Sequence, residues 1–301
     1  HYFRKKKDLI KLFKSLIQSN KPDIVFLDYG FVGQYITYFK NQNIPVIYGT
    51  HNSQSDLTRQ QPIKGGFKTL RNLQYAFTEK LHEHLYFIKA DQLIVVSEED
   101  KKFHAKFIPV DKIKIIPNFL DENRYQGVFE KEDYFVITAN FGAYMNYEGL
   151  KWLVNNVWDE SLDKKIHLKL VGVNSNEALA SLPKAKEYSN IVSYGSVEDI
   201  TPFIGKAKAV LIPLLHGSGS RLKCLEAMAL STLIISTTKG VEGIKSESII
   251  TADTPEEFRN EIISIKQNSI LGKQLNEEFN EHYSIKNNKF QLEKVLKQAI
   301  I

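Results

Sequence analysis

The segment from Pro213 to Ala229 carries residue types at a spacing that suits a phosphorylated ligand. An apolar run ends at Leu215, and glycines at 217 and 219 allow a ligand to approach the backbone closely. An amphipathic run follows, which predicts a helix. The free amide groups and the dipole at the start of a helix favour an anion such as a diphosphate. The pattern therefore predicts an anion-binding loop.

Three charged side chains follow these glycines. Arg221 and Lys223 place two positive charges beside the helix start, and arginine can hold phosphate oxygens through two parallel hydrogen bonds. Glu226 lies further along the same helix, where a carboxylate can accept hydrogen bonds from the paired hydroxyls of a ribose. Glycine spacing alone would also fit a turn before an ordinary helix. The combination with two cations and a carboxylate favours a nucleotide site.

Short apolar runs alternate with helical segments through both halves of the chain. The predicted strands cover residues 24–27, 46–48, 92–96, 113–116, 135–138, 166–171, 191–194, 209–215, 233–236 and 248–251. Such alternation predicts an α/β protein with parallel sheets covered on both faces. We expect two doubly wound, Rossmann-like domains, with the ligand at the carboxyl ends of the strands and in the cleft between the domains.

A polar stretch over residues 121–132 interrupts the alternation and indicates a domain boundary. We expect an amino-terminal domain over residues 1–126, a nucleotide-binding domain over residues 127–285, and a helix over residues 286–301 that crosses back to the first domain. The usual first strand and glycine loop are not visible before Lys21. The amino-terminal domain is therefore expected to be truncated.

Composition narrows the class of protein. The chain has 301 residues, of which 43% are hydrophobic and 25% charged, and no apolar run approaches the roughly 20 residues of a membrane-spanning helix. The single cysteine, Cys224, excludes a disulfide framework, and we interpret it as a core residue. The net charge of +5 does not by itself indicate a nucleic-acid binder.

Residues 1–20 are predicted to form a basic helix. Its apolar face is expected to contain Leu9, Leu12, Phe13, Leu16 and Ile17. Two interpretations stay open: a helix packed on the core with a solvated cationic back, or a helix that rests on anionic lipid headgroups.

The segment Pro213–Ala229 resembles the donor-site signature of GT-B glycosyltransferases of family 4, P-L-x-x-G-x-G-[ST]-R-L-K-x-L-E-A-M-A. Other elements of that family occur in the same order, and the resemblance covers nearly the whole chain. They are T-H-N at Thr50–Asn52, A-D-x-x-x-x-V-S at Ala90–Ser97, I-P-N at Ile116–Asn118 and G-x-V-x-D at Gly195–Asp199.

The resemblance implies transfer of a hexosyl group from a UDP- or GDP-linked nucleotide-sugar to a glycan or lipid-linked acceptor. It implies retention of donor stereochemistry, no metal and no cofactor besides the donor. Glu226 would hold the ribose, Arg221 and Lys223 would stabilise the departing diphosphate, and His51 would face the donor sugar. The remaining donor-binding positions would be Gly142, Val197, Gly217, Ser218, Gly219 and Ser220.

The resemblance also implies a setting, namely bacterial polysaccharide biosynthesis in the cytoplasm. A peripheral contact with the inner face of an anionic membrane is an open alternative, and no nucleic-acid partner is expected.

Two other functions stay open. Many family members have a second glutamate eight residues before the ribose-binding one, where this chain has Ser218. That departure fits a catalytically inactive subunit that supports a partner enzyme, although retention of Arg221, Lys223 and Glu226 opposes it. A NAD-dependent dehydrogenase is a further alternative because both halves are Rossmann-like. Against it, no G-x-G-x-x-G follows the strands at 24–27 or 135–138.

Overall fold

The structure is a computed structural model that describes residues 2–28, 30–50, 74, 77, 78, 80–217 and 221–300. The chain divides into two compact units. The first contains the described residues up to Ile116 together with the end of the chain from Gln291, and the second contains Pro117–Phe290. The boundary thus falls ten residues before the one expected at 126/127.

The first unit is built around a parallel sheet of four strands in the order β1-β2-β3-β4. Its strands are β1 (Val25–Asp28), β2 (Val46–Gly49), β3 (Gln92–Val95) and β4 (Ile113–Ile115). Its helices include α1 (Tyr2–Ser19), α2 (Ile36–Lys40) and α3 (Glu98–His104), with 3-10 turns at Gly30–Tyr35 and Val110–Lys112 and a π-helical turn at Glu83–Phe87.

Helix α1 presents a different face to the core than its periodicity predicts. Phe13 and Ile17 pack against the core as expected, together with Ile10. Leu9, Leu12 and Leu16 are 39%, 51% and 54% exposed, so their assignment to the buried face was wrong. The buried and the exposed apolar residues form two stripes that lie side by side on the helix. Periodicity alone does not show which of the two stripes faces the core.

The second unit has a parallel sheet of six strands. They are β5 (Tyr134–Thr138), β6 (His167–Val171), β7 (Ile191–Ser193), β8 (Ala209–Ile212), β9 (Leu233–Ser236) and β10 (Ile250–Thr251). Its helices are α4 (Tyr144–Trp152), α5 (Glu160–Asp163), α6 (Ser175–Ala180), α7 (Thr201–Gly205), α8 (Leu222–Ala229), α9 (Pro255–Ser264) and α10 (Ser269–His282). Shorter turns are π-helical at Leu153–Val157 and 3-10 at Glu122–Arg124, Pro183–Glu187 and Thr238–Val241. A final helix, α11 (Ile285–Ile300), begins in this unit.

The strand order of the second sheet is β10-β9-β8-β5-β6-β7, with every pair parallel. The chain therefore winds in one direction from β5 to β7 and in the other from β8 to β10. The direction reverses between β5 and β8, and in such sheets ligands bind at the carboxyl ends of the strands beside this reversal. Strands β5, β8 and β9 are buried along their whole length, as expected for a sheet covered on both faces.

Several element boundaries differ from the predicted ones for local reasons. Strand β8 ends before Pro213 and not at Leu215, because proline has no amide hydrogen for the strand ladder. The helical stretch from Pro255 is three helices, and side chains cap the starts of the first two. Thr254 and Glu257 form a capping box at α9, and Asn268 accepts hydrogen bonds from the first amides of α10.

Candidate functional site

The site lies at the carboxyl ends of β5 and β8, where two loops lead into α4 and α8. Both helices start without a side-chain cap, because the N-cap residues Ala143 and Arg221 accept no hydrogen bond from the helix amides through their side chains. Neither first turn contains an acidic residue. Each helix therefore directs the backbone amides of its first turn and the positive end of its dipole towards the loops at the strand reversal.

Glycines let these elements come close to one another. A Cβ atom on Gly149 of α4 would lie 2.5 Å from the carbonyl oxygen of Pro213, so only glycine lets the helix pack against the end of β8. Gly217 has a φ of +112°, and a Cβ there would lie 2.8 Å from Sδ of Met145. The loop after β8 is therefore fitted closely onto the first turn of α4.

Gly142 lies in the loop after β5, where its amide donates to Oδ1 of Asn140 (3.0 Å). A Cβ on Gly142 would meet the side-chain amide of Asn174, which follows β6. The loop after β6 is also joined to the loop after β7, because the Gly195 amide donates to Oγ of Ser175 (2.9 Å). Val197 follows in that loop and packs on the core.

Lys223 lies in the first turn of α8 and is partly buried. Its Nζ donates to Oδ1 of Asn146 on α4 (3.0 Å), and the side-chain amide of Asn146 donates to the carbonyl of Asn140 (2.9 Å). Burial lowers the pKa of Lys223 to about 8; the charge of Arg221 lowers it further, and Glu226 opposes the shift. The ammonium is thus held between the loops at β5 and β8 with little solvent around it.

Glu226 lies one turn after Lys223 on the same side of α8. It accepts a hydrogen bond on Oε1 from the hydroxyl of Tyr125 (3.2 Å). Burial raises the pKa of the Glu226 carboxyl, while the Tyr125 hydrogen bond and the charges of Lys223 and Arg124 act in the opposite direction. The result is a partly enclosed carboxylate with a cation beside it, which can accept hydrogen bonds from ligand hydroxyls.

Arg221 takes a different direction from Lys223. Its side chain is buried, and its Nη2 donates to the carbonyl oxygens of Gly217 (3.3 Å) and Lys239 (2.9 Å). Glu242 lies 3.5 Å from the same nitrogen. In this structure Arg221 therefore joins the loops after β8 and β9, and its predicted contact with a diphosphate stays a prediction.

The structure thus brings Gly142, Gly217, Lys223 and Glu226 to one edge of one sheet. The predicted residues His51, Ser218, Gly219 and Ser220 lie outside the described residues. Two residues of the site were missed from the sequence. Asn146 follows Gly142 by one helical turn and could have been noted on spacing; Tyr125 is 101 residues from Glu226, in a stretch interpreted as a domain boundary.

Cys224 is fully buried, as predicted, and burial raises the pKa of its thiol to about 12. It is therefore a core residue in the protonated form.

Among the described residues, no group of three or more histidine, cysteine, aspartate or glutamate side chains is arranged to hold a metal ion. Within the same part of the chain, no helix combines the length and apolar character needed to cross a membrane.

Two cavities of the second unit, of about 260 and 220 Å³, lie at the other edge of the sheet. The first is lined by Lys208 and Leu233, which stand at the starts of β8 and β9, and the second by Tyr134 and His167 at the starts of β5 and β6. The helix that carries Lys223 and Glu226 begins at the opposite ends of these strands, so neither cavity belongs to the site.

Two family models match the chain. Residues 132–268 match the model for glycosyl transferases group 1, and residues 2–124 match the model for glycosyltransferase family 4. No curated protein sequence matches the chain.

Solved structures with the same fold include two glycosyltransferases and a protein bound to UDP and glucose. One from Rickettsia africae has a TM-score of 0.71 at 14% identity, over 97% of this chain and 80% of that chain. Anabaena Alr3699/HepE in complex with UDP and glucose has a TM-score of 0.65 at 13% identity, over 96% of this chain and 81% of that chain. WaaG, a glycosyltransferase involved in lipopolysaccharide biosynthesis, has a TM-score of 0.65 at 13% identity, over 86% of this chain and 80% of that chain. At these identities the likeness shows the fold.

Proposed function

The chain belongs to the group 1, family 4 glycosyltransferases, with the two parallel Rossmann-like sheets of the GT-B fold, and we propose that it transfers a hexosyl group from a nucleotide-sugar to a glycan or a lipid-linked acceptor. In this proposal the nucleoside diphosphate part of the donor binds at the carboxyl ends of β5 and β8.

One observation carries the proposal: Lys223 and Glu226 lie one turn apart on a helix whose uncapped start faces the strand reversal. The first-turn amides of α4 and α8 suit the diphosphate oxygens, and the Lys223 ammonium adds a full charge. The Glu226 carboxylate suits the ribose hydroxyls. A cation at a helix start and a carboxylate one turn later match the two ends of a nucleoside diphosphate.

The solved relatives support the choice of substrates. The Anabaena protein was crystallised with UDP and glucose, and WaaG acts in lipopolysaccharide biosynthesis. We infer by analogy a UDP- or GDP-linked hexose as the donor and a bacterial surface glycan or its lipid-linked precursor as the acceptor.

In the proposed reaction, the bond between the sugar and the diphosphate breaks while an acceptor hydroxyl oxygen forms a new bond to the sugar and releases its proton, and negative charge grows on the diphosphate. Lys223 and the helix amides stabilise this charge, since groups that are already oriented lose little energy in reorganising during the reaction. Binding both substrates at fixed positions supplies much of the remaining rate enhancement. Retention of donor stereochemistry and independence from metal ions are parts of the proposal that rest on the family.

The proposal is tested by following release of the nucleoside diphosphate from UDP-hexoses and GDP-hexoses, with and without glycan and lipid-linked acceptors. We expect release to rise when the correct acceptor is present and to be lost in the Glu226→Ala variant. Tight donor binding without release under any acceptor would instead indicate an inactive subunit. Absence of both binding and release would contradict a donor site.

A further inference from the structure

The hydroxyl of Tyr125 occupies one oxygen of the carboxylate to which we assign ribose binding. It donates to Oε1 of Glu226 at 3.2 Å, and no other hydrogen bond to this carboxylate is present among the described residues. The Tyr125 ring is half-buried and packs against the core of the second unit. Glu226 therefore offers its second oxygen, Oε2, to a ligand.

The backbone around Tyr125 is tied to another part of the same unit. The Leu120 amide donates to the carbonyl of Tyr283 (2.9 Å), and the Ile285 amide donates to the carbonyl of Leu120 (2.9 Å), which makes a parallel bridge between Leu120 and Ser284. The Tyr283 hydroxyl in turn accepts a hydrogen bond from the Lys245 amide (2.6 Å). These contacts fix the segment that carries Tyr125.

Tyr125 also keeps its proton at all ordinary pH values. Burial raises its pKa to about 12, and the charge of Glu226 contributes to the same shift. The phenol is therefore a permanent donor to Glu226. Arg124 and Asp199 lie close enough for their charges to act on Tyr125 as well, in opposite directions. Asp199 belongs to the loop that carries Val197.

We propose that Tyr125 is a positioning residue of the donor site, which holds the Glu226 carboxylate in one orientation so that Oε2 faces the ribose hydroxyls. This inference rests on the proposed function. A glutamate has three rotatable side-chain bonds, and a fixed donor on one oxygen removes much of their freedom before the ligand binds. The benefit is present only for ligands that have hydroxyls for Oε2 to bind.

The test compares the binding of UDP and GDP with that of their 2′,3′-dideoxy counterparts by calorimetry. In Tyr125→Phe, which keeps the ring and its packing, we expect the affinity for the ribonucleotide to fall about three- to tenfold. The affinity for the dideoxy compound should stay unchanged. Equal losses for both ligands would show a general structural role and would overturn the inference.

A second measurement covers the case in which Tyr125→Phe disturbs the fold. When Glu226→Ala is already present, adding Tyr125→Phe should not change the affinity for the ribonucleotide further, because the acceptor of the hydrogen bond has already been removed. Additive losses would contradict the inference. Tyr147→Phe is the matched control, since it removes another tyrosine hydroxyl that bonds within the same unit, to Ser181.

The two proposals fail in different ways. If the unmodified chain binds neither nucleotide, the donor site itself is wrong and the inference falls with it. If it binds one of them and Glu226→Ala weakens that binding while Tyr125→Phe does not, the donor site stands and the role of Tyr125 is refuted.

Discussion

The Lys223 ammonium lies 3.0 Å from Oδ1 of Asn146, so the helix that follows β8 is joined to the helix that follows β5. These are the two strands between which the winding of the sheet reverses. The contact leaves the cation without a carboxylate partner at hydrogen-bond distance in the described residues. A diphosphate at the helix starts would supply the missing negative charge.

Replacing Lys223 by methionine should weaken the binding of a nucleoside diphosphate by about ten- to a hundredfold. Methionine keeps much of the side-chain volume and removes the charge, and hydrogen bonds to charged groups contribute about 1.5–3 kcal/mol. Calorimetric titration with UDP and GDP measures the effect. Lys164→Met is the control, since Lys164 is exposed in the same unit. Equal affinities in the two variants would exclude Lys223 from the site.

The affinity for the diphosphate should also depend on pH through Lys223. Because burial lowers the pKa of this group to about 8, the ammonium is charged below pH 8 and loses its proton above it in the free protein. The charged form favours binding of an anion, so affinity should be highest near pH 7, where the diphosphate is ionised, and should decline from about pH 8 upwards. Lys223→Arg, whose guanidinium keeps its charge, should remove the decline. A wild-type affinity that stays level to pH 10 would be the opposing result.

Substitution of Gly217 by alanine should impair the loop after β8. The φ of +112° is strained for alanine, at a cost of about 1–3 kcal/mol, and the added Cβ would meet Sδ of Met145. The Gly217 carbonyl also accepts from Arg221, so the strain should spread to the loop after β9. We expect a lower thermal midpoint and weaker nucleotide binding. Adding Met145→Ala should remove the contact with Sδ and restore only part of the thermal midpoint and of the nucleotide affinity. Full recovery of both would mean that backbone strain is unimportant.

His104 should make the first unit sensitive to acid. It is fully buried, neither ring nitrogen has a hydrogen-bond partner among the described residues, and burial lowers its pKa from 6.5 to about 4. The unfolded chain therefore takes up this proton below pH 6.5 while the folded chain does not. The resulting contribution to the free energy of unfolding is fully present above pH 6.5 and is lost as the pH falls towards 4. At pH 5 the loss is about 2 kcal/mol.

Urea unfolding at pH 7 and pH 5 measures this effect. His104→Leu should lose less stability between the two pH values than the unmodified chain does. His282→Leu serves for comparison, because His282 is largely exposed. If the two variants show the same pH dependence, His104 does not carry the effect.

The sequence predicted those features that depend on neighbouring residues. Leu233–Ser236 was predicted to the residue because a fully buried parallel strand is a continuous apolar run between breakers. Ser97 was predicted as an N-cap, and its hydroxyl accepts from the Asp100 amide. The α/β class and the family were predicted in the same way, from local patterns that recur in order along the chain, and both were confirmed.

The contacts between distant segments could not be predicted. The Tyr125–Glu226 hydrogen bond joins residues 101 apart, and nothing in the polar stretch around Tyr125 indicates its partner. The direction of the Arg221 side chain depends on the carbonyl of Lys239 in the loop after β9. Both contacts follow from how loops meet at the edge of a sheet, which local periodicity does not describe.

The most direct test of the donor site is calorimetric titration of the chain with UDP, GDP, CMP and NAD, repeated with Glu226→Ala and with Glu160→Ala. Glu160 is an exposed glutamate of the same unit. We expect that a nucleoside diphosphate binds, that NAD does not, and that Glu226→Ala weakens binding at least tenfold while Glu160→Ala leaves it unchanged. Binding of a nucleoside diphosphate with equal affinity to the Glu226→Ala variant, or no nucleotide binding at all, would contradict it.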